Sequence, residues 1–470
     1  LTALTSADFI VFFREIYGYE PFPWQVELTR LACAGSWPEY LSVPTGSGKT
    51  AALDAAVFAL AVQASRPPAE RTVGRRIFYV VNRRVIVDEA YDRARKITAA
   101  LRSPRDNQPT VTRVAAALRS LNPGSASPLD CVQLRGGIYR DQRWARSLTQ
   151  PLIVASTVDQ VGSRLLFRGY GVSPSMRPIH AALVAHDSLL LLDEAHISRP
   201  FAQTLASIAA YRAHGSGRSH KPDTAPPVTV RTPFAFLQMT ATPPAKTPET
   251  AILRLTKADR DKPTLGVRLE ATKPATLAVA EKASGAKALA ALATRLYEEA
   301  IQLIKAHQPR SIAILVNRVA TAREVEKILV RQFSPNQVTL LIGRMRPLDR
   351  DEITQALRTE LKTRQPGELA PALACPSPRI VVATQCLEVG ADFDFDALVT
   401  ECASLDALRQ RFGRLNRGGR AIEAYARIVI RADQIFDDTE LETNPKAADP
   451  IYNTALARTW NWLSSIAAAN

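Results

Sequence analysis

The sequence predicts an α/β chain: two tandem parallel-sheet domains followed by a short C-terminal helical extension. Three observations carry that expectation. Short apolar runs such as Ser188–Leu192 end in polar residues and alternate with helical stretches, which is the pattern of a sheet covered on both faces. The series occurs twice, on either side of a stretch rich in Pro, Lys, Thr and Ala. The chain also has 470 residues, more than one core of ordinary size organises. The expected boundaries are 1–245 for the first domain, 246–285 for a linker and exposed excursion, 286–432 for the second domain, and 433–470 for a linker and the start of an accessory helical region.

Residues 6–17 read as a capped amphipathic helix. The stretch that organises the first domain follows it: Leu41-Ser42-Val43-Pro44-Thr45-Gly46-Ser47-Gly48-Lys49-Thr50, an apolar strand running into a two-glycine turn and an alanine-rich helix. The glycines let backbone N–H groups face phosphates, and the new helix points its positive end at them. Thr45, Gly46, Ser47 and Gly48 form the cradle, Lys49 reaches the β- and γ-phosphates of ATP, and Thr50 ligates Mg²⁺. The strict pattern has Gly where this chain has Val43.

Further along, Ile77–Val81 reads as a buried strand ending at Asn82-Arg83-Arg84, and Val132–Leu134 leads to Arg135 and Gly136. The run Pro151–Ala155 leads to Ser156 and Thr157. Polar strand ends of this kind offer hydroxyls and N–H groups to a nucleic-acid backbone without reading bases. Asn82, Arg83, Arg135, Gly136 and Thr157 are therefore candidate nucleic-acid contacts. Then Ser188–Leu192 delivers Asp193-Glu194-Ala195-His196. Asp193 is expected to hold Mg²⁺, Glu194 to orient or deprotonate the attacking water, and His196 to relay nucleotide state. His186-Asp187 lies just ahead without companion histidines and reads as structural. Phe234–Gln238 is a last strand, ending in Met239-Thr240-Ala241-Thr242.

The second domain has no phosphate loop. Helices over 286–307 and 321–333 alternate with strands over 311–316, 338–342, 379–383 and 397–400, with an excursion over 360–377. In it, Thr384 can touch a nucleic-acid backbone, and Gly390 and Asp392 can approach a ribose. In Gln410-Arg411-Phe412-Gly413-Arg414-Leu415-Asn416-Arg417 the spacing places three arginines along one helix face, with Arg414 and Arg417 as charge-stabilising fingers for phosphoryl transfer.

Composition narrows the partners. Formal net charge is +15, from 60 Lys and Arg against 45 Asp and Glu, which favours a polyanion such as nucleic acid. The five cysteines form no C-x-x-C pair, which signals no structural metal site and fits a reducing cytoplasm. No apolar run reaches membrane-spanning length, so no membrane partner is expected. The start, Leu1-Thr2-Ala3, reads as that of an excised portion.

Taken together, the phosphate loop, Asp-Glu-Ala-His, Thr-Ala-Thr, the Gly-Ala-Asp element and Gln-Arg-x-Gly-Arg-x-x-Arg stand in the order of superfamily 2 helicases, from Gln25 to Arg420. Those helicases tolerate a non-glycine at the Val43 position. Thr157-Val158-Asp159-Gln160, Gln385-Cys386-Leu387-Glu388-Val389-Gly390 and Gln410–Arg417 resemble the CRISPR-associated helicase–nuclease of type I systems. The resemblance implies two RecA-like motor domains that share ATP and Mg²⁺ and move single-stranded DNA 3′ to 5′. It also implies an RNA-guided surveillance complex as partner; the oligomeric state stays open, with a monomer expected. It assigns Gln25 to the adenine, against the alternative of a solvent-facing Gln at a helix start, and Thr240, Thr242 and Gln410 to coupling. The family's histidine–aspartate nuclease has no counterpart among the six scattered histidines, and Leu134-Arg135-Gly136-Gly137 together with the tail Asp449–Leu463 leans towards the branch that carries it beyond Asn470. An RNA helicase and a binding scaffold without turnover are the rival readings.

Overall fold

The computed structural model describes residues 3–82, 84–136, 143–215, 232–281, 283, 285–343, 345–364, 368–387 and 392–469. Two compact units meet in sequence at Lys262 and Pro263. Among the described residues, unit one holds strands β1 (Tyr40–Ser42), β2 (Arg76–Val81), β3 (Asp130–Leu134), β4 (Leu152–Thr157), β5 (Ser188–Asp193), β6 (Phe234–Met239) and β7 (Ile252–Arg254). They form one sheet in the order β3-β4-β2-β5-β6-β1-β7, and every pairing is parallel. Every residue of β2, β4 and β5 is buried, as an interior parallel strand covered on both faces requires.

Register then does what sequence distance cannot. Leu41 pairs with Met239, and Met239 pairs with Asp193, so three strand ends far apart in the chain reach the same level of one sheet edge. The helix Ala52–Val62 that leaves the phosphate loop is buried from Ala52 through Ala61. Its alanines let neighbouring elements approach closely, and Phe58 takes the N-terminal helix Phe9–Tyr17 through Phe9 and Phe12, with ring centroids 5.5 and 5.3 Å away. Each such aromatic pair adds about 0.5–1.5 kcal/mol to the area buried.

One charge interrupts that helix. Asp54 is fully buried and accepts from the Tyr17 hydroxyl at 2.8 Å and from Arg93 Nε at 2.5 Å. Burial outweighs these partners and leaves its carboxyl above the usual range. Replacing Asp54 with Ala strands the Arg93 guanidinium, and we expect a loss of about 3 kcal/mol. Urea unfolding reads this as a lower midpoint at unchanged slope. A loss below about 1 kcal/mol would show that Arg93 finds water instead.

Unit two holds β8 (Ala275–Ala280), β9 (Ser311–Leu315), β10 (Val338–Leu341), β11 (Arg379–Ala383), β12 (Ala397–Glu401) and β13 (Tyr425–Arg431). Their order is β10-β11-β9-β12-β13-β8, again entirely parallel. The two-sheet fold class is as expected, and the division differs from it. Residues 246–285 are not a linker and excursion: they supply β7 to the first sheet and β8 to the second. Both are edge strands with mostly half-exposed or exposed residues, so neither carries the apolar run that betrays an interior strand. The C-terminal helix Ala455–Ala469 is likewise part of unit two, with Leu456 and Trp460 packed among Cys402, Leu408, Ile428 and Ile430. No described helix is long and apolar enough to cross a membrane.

Candidate nucleotide site and arginine turn

The phosphate loop of unit one leaves β1 at Val43, which is fully buried. A side chain packed into the core explains why the loop carries Val there. Gly46 and Gly48 have φ of +87° and +76°, a backbone region that only glycine enters freely. A Cβ on Gly48 would also lie 3.1 Å from Gln25 Nε2, a tight contact to which that amide would have to yield. Gln25 is not the solvent-facing residue of a helix start. It is 3 % exposed, its Oε1 accepts from Phe22 N at 2.9 Å, and its Nε2 points at the Gly48 carbonyl at 3.4 Å. Trp24 Nε1 donates to Ser47 O at 3.1 Å, while Trp24 N donates to Asp259 Oδ1 at 2.8 Å. The stretch 22–25 therefore braces the loop from behind. Ser47 Oγ is buried with no partner among the described residues, a spare donor inside the cradle.

Lys49 closes the loop onto the carboxylates. Its Nζ is 2.9 Å from Glu194 Oε1 and 3.7 Å from Asp193 Oδ1. Burial alone would lower its pKa, but the two carboxylates overcome that and hold it above the ordinary value. Asp193 moves up: burial leads, Lys49 opposes it, and Glu194 adds to it. The Tyr79 hydroxyl donates to Asp193 Oδ2 at 2.8 Å; burial and Asp193 push its pKa well up, and the Thr50 side chain beside it works the other way. Thr50 and Asp193 thus gather around one phenol, and their oxygen-only donor set fits a hard divalent cation such as Mg²⁺.

Glu194 sits at φ +49° and ψ +48°, a left-handed conformation that costs a non-glycine residue energy and is kept where the surroundings impose it. His196 Nδ1 is 3.5 Å from Glu194 Oε2 and 3.2 Å from Thr240 Oγ1, which is 3.5 Å from Thr242 Oγ1. Thr240 N in turn donates to Leu41 O at 3.0 Å. The expected relay residues His196, Thr240 and Thr242 are brought together beside the carboxylates. Asp187, by contrast, accepts from Arg75 N and pairs with Arg71 and Arg75, as its structural reading implies.

The candidate nucleic-acid contacts fall on the same edge. Leu134 pairs with Ser156 and Val81 with Thr157, so Arg135, Thr157 and Asn82 follow three adjacent strand ends. They are not equally available. Asn82 is exposed, Gly136 is half-buried, Arg135 is paired with Asp88 at 3.0 Å, and Thr157 is 5 % exposed. Arg83 lies outside the described residues.

In unit two the arginines do not share a helix face. The helix Leu405–Phe412 ends before Arg414, so of Arg411, Arg414 and Arg417 the first alone lies on it. Arg411 is fully buried and donates to Thr400 Oγ1, Glu401 O and Asn317 Oδ1 at 2.8, 2.7 and 2.8 Å, a structural role. Arg414 and Arg417 stand in the turn beyond. The helix gives way after Phe412; Gly413 keeps helical φ and ψ as its cap, and Asn416 at φ +40° breaks the run that the spacing suggested before Arg417. Arg417 Nε is 3.2 Å from Asp392 Oδ1, and its Nη1 is buried without a partner among the described residues. Asp392 also accepts from Thr363 Oγ1 at 2.6 Å. Thr384 is buried, Gln410 Oε1 is buried without a partner among the described residues, and Gly390 lies outside them.

Residues 308–420 match a family model described as CRISPR-associated nuclease/helicase Cas3, C-terminal. Over 106 residues the chain is 32% identical to the CRISPR-associated nuclease/helicase Cas3 of Streptococcus thermophilus, which is 23% of this chain and 11% of that protein. Crystal structures of T. fusca Cas3, alone and with AMPPNP, each match at TM-score 0.58 and 17% identity over 96% of this chain. The chain resembles the CRISPR-associated Cas3 helicases. It spans only 50% of that T. fusca chain, and at this identity the likeness is one of fold. A chain of a pre-nicking CRISPR RNA-guided surveillance complex also matches, at TM-score 0.52 and 18% identity over 95% of this chain and 48% of that one.

Four residues of this Cas3-like chain hold the two sites in shape and went unread in the sequence: Trp24, Tyr79, Lys273 and Asp394. Tyr79 sits inside an apolar strand, where the available signal was that a buried phenol needs a partner. Lys273 Nζ donates to Phe412 O at 2.9 Å, a cation on the last carbonyls of the helix that leads to Arg414. Burial lowers its pKa to about 8, with Asp394 raising and Arg417 lowering it. Between about pH 8 and its ordinary value the unfolded chain binds a proton that the folded chain does not, so this lysine makes stability rise with pH there. Thermal melts of wild type and Lys273→Met across pH 7.5–10 should show that rise in wild type and a flatter curve in the variant. Parallel curves would place the ammonium in water.

Proposed function

We propose that the chain is the motor portion of an ATP-dependent single-stranded DNA translocase and helicase, working 3′ to 5′ in a type I CRISPR interference system. The observation that carries this reading is the convergence of Lys49, Thr50, Asp193 and Glu194 at one sheet edge, with His196 and Thr240 running from Glu194 back to the loop strand.

ATP with Mg²⁺, when bound, supplies the phosphoanhydride whose cleavage drives the motor. Thr50 and Asp193 are the residues that would hold the ion, and Tyr79 fixes the Asp193 carboxylate. Lys49 gives its ammonium to the phosphates, which requires it to leave Glu194. Glu194, released from that ion pair, orients a water and accepts its proton. His196 then senses the change at Glu194 Oε2 and passes it to Thr240. Arg414 and Arg417 neutralise charge on the phosphoryl group in transit. The strand of nucleic acid is held through its phosphates by Asn82, Arg135, Gly136, Thr157 and Thr384, and a surveillance complex delivers it. The matched surveillance complex supports that last step.

The test is ATP turnover with single-stranded DNA and single-stranded RNA at equal nucleotide concentration. DNA should stimulate more, and log affinity should fall linearly with log salt, at about −0.7 per phosphate contacted. Equal or greater stimulation by RNA, the substrate that the superfamily's motifs serve as readily, would make the chain an RNA helicase. No turnover with either polymer would leave a scaffold.

A further inference from the structure

The stretch Asp392-Phe393-Asp394-Phe395-Asp396 alternates apolar and acidic residues. Phe393 and Phe395 are fully buried in a core with Leu398 and Leu415. The alternation turns the acidic side chains to the opposite side, where they meet the turn that carries Arg414 and Arg417.

That turn is fastened to this stretch residue by residue. Phe395 N donates to Arg414 O at 2.9 Å, and Asn416 N donates to Phe395 O at 2.8 Å, so the backbone of Arg414 is fixed on both sides. Asp394 then takes four donors. Its Oδ1 accepts from Arg417 N at 2.8 Å and its Oδ2 from Gly418 N at 3.3 Å. Arg420 binds it bidentately through one edge of the guanidinium, Nε to Oδ2 and Nη2 to Oδ1, each at 3.0 Å. The Asp394 side chain is 1% exposed, so a carboxylate this deep must be fully occupied, and it is. Arg420 Nη1 also reaches Asp396 Oδ1 at 2.7 Å, and Asn416 folds onto Arg420 through both ends of its amide, at 2.8 and 3.0 Å. Gly418 is glycine because a Cβ there would lie 2.6 Å from Arg364 O and 3.1 Å from Asp394 Oδ2.

We propose that Asp394 is a positioning residue for phosphoryl transfer: its carboxylate, locked by Arg420, sets the turn that presents Arg414 and Arg417. This rests on the role proposed above for those two arginines. The donors that Asp394 meets all belong to Arg417, Gly418 and Arg420, so it acts through the turn. Asparagine has the same shape, but its amide N–H₂ would face N–H donors, so one edge of the clamp becomes repulsive.

The experiment measures steady-state ATP turnover, stimulated by single-stranded DNA, for wild type, Asp394→Asn, Arg414→Ala and the double variant, with thermal melts of each. Asp394→Asn should lower kcat by about 10²-fold, the effect of misplacing a catalytic group by about an ångström, with KM for ATP unchanged within about threefold. In the Arg414→Ala background the same change should cost at least about threefold less than in wild type, because one of the two groups it positions is gone. A merely structural role would multiply the two losses, and that result overturns the proposal. Asp394→Asn activity within threefold of wild type beside a crippled Arg414→Ala overturns it alone. Full activity in Arg414→Ala overturns the arginine reading, and this inference with it. If Asp394→Asn does not fold, Arg420→Gln keeps the two backbone donors and removes the guanidinium. It should show the same kcat loss in weaker form, and an altered KM with intact kcat counts against the proposal.

Discussion

Lys49→Ala is expected to lower ATP turnover by on the order of 10²–10³-fold, the cost of removing one preorganised charge from a buried anion site. The position of the ammonium makes the effect large. It is 8% exposed and bound to both carboxylates, so it works where water cannot replace it. Stability should change too. Without Lys49, Asp193 and Glu194 lose the cation that both of them face, and Asp193, already above its ordinary range through burial, moves further up. The melting temperature should then fall more at pH 8 than at pH 5, where protonation relieves the repulsion. Steady-state phosphate release, measured beside wild type, checks the first expectation. Equal rates in the two proteins would remove the catalytic reading of the whole edge and leave a scaffold.

Glu194→Gln is the second large effect, and its signature differs. The amide cannot accept a proton from water, so kcat should fall by about 10²–10⁴-fold while ATP affinity persists. The left-handed backbone at Glu194 suits Gln no worse than Glu, so the change tests chemistry rather than folding. Lys49 also loses the partner at 2.9 Å, which frees it for phosphate, and affinity should stay equal or improve. Single-turnover hydrolysis with fluorescent-nucleotide binding separates the two quantities. Loss of binding with intact kcat would assign Glu194 to the ion rather than to the water.

How much of this was legible depends on what each residue's neighbours hide. The phosphate loop and Asp193-Glu194-Ala195-His196 declare themselves because each is a run of polar or glycine residues at the end of an apolar strand. β7 and β8 did not, since an edge strand with exposed residues looks like a loop in a Pro- and Lys-rich stretch. Tyr79 passes for one more apolar residue of β2 until Asp193 appears 2.8 Å away. The arginine spacing suggested a helix face, but the helix stops at Phe412 and Asn416 turns left-handed, so Arg411 lies inward while Arg414 and Arg417 ride a turn.

By itself the sequence determined the chemical inventory: two parallel sheets, a loop with glycines where φ is positive, a lysine, two carboxylates and paired arginines. These follow from local rules, because strand burial, turn conformation and side-chain type are set within a few residues. Only the tertiary structure decided which groups meet. Strand register brings Lys49 to Glu194 across 145 residues, and four hydrogen bonds from beyond the helix end make Asp394 the anchor of the arginine turn. Such contacts depend on where parallel strands stop relative to one another, a quantity fixed by packing across the whole sheet and by no single stretch of the chain.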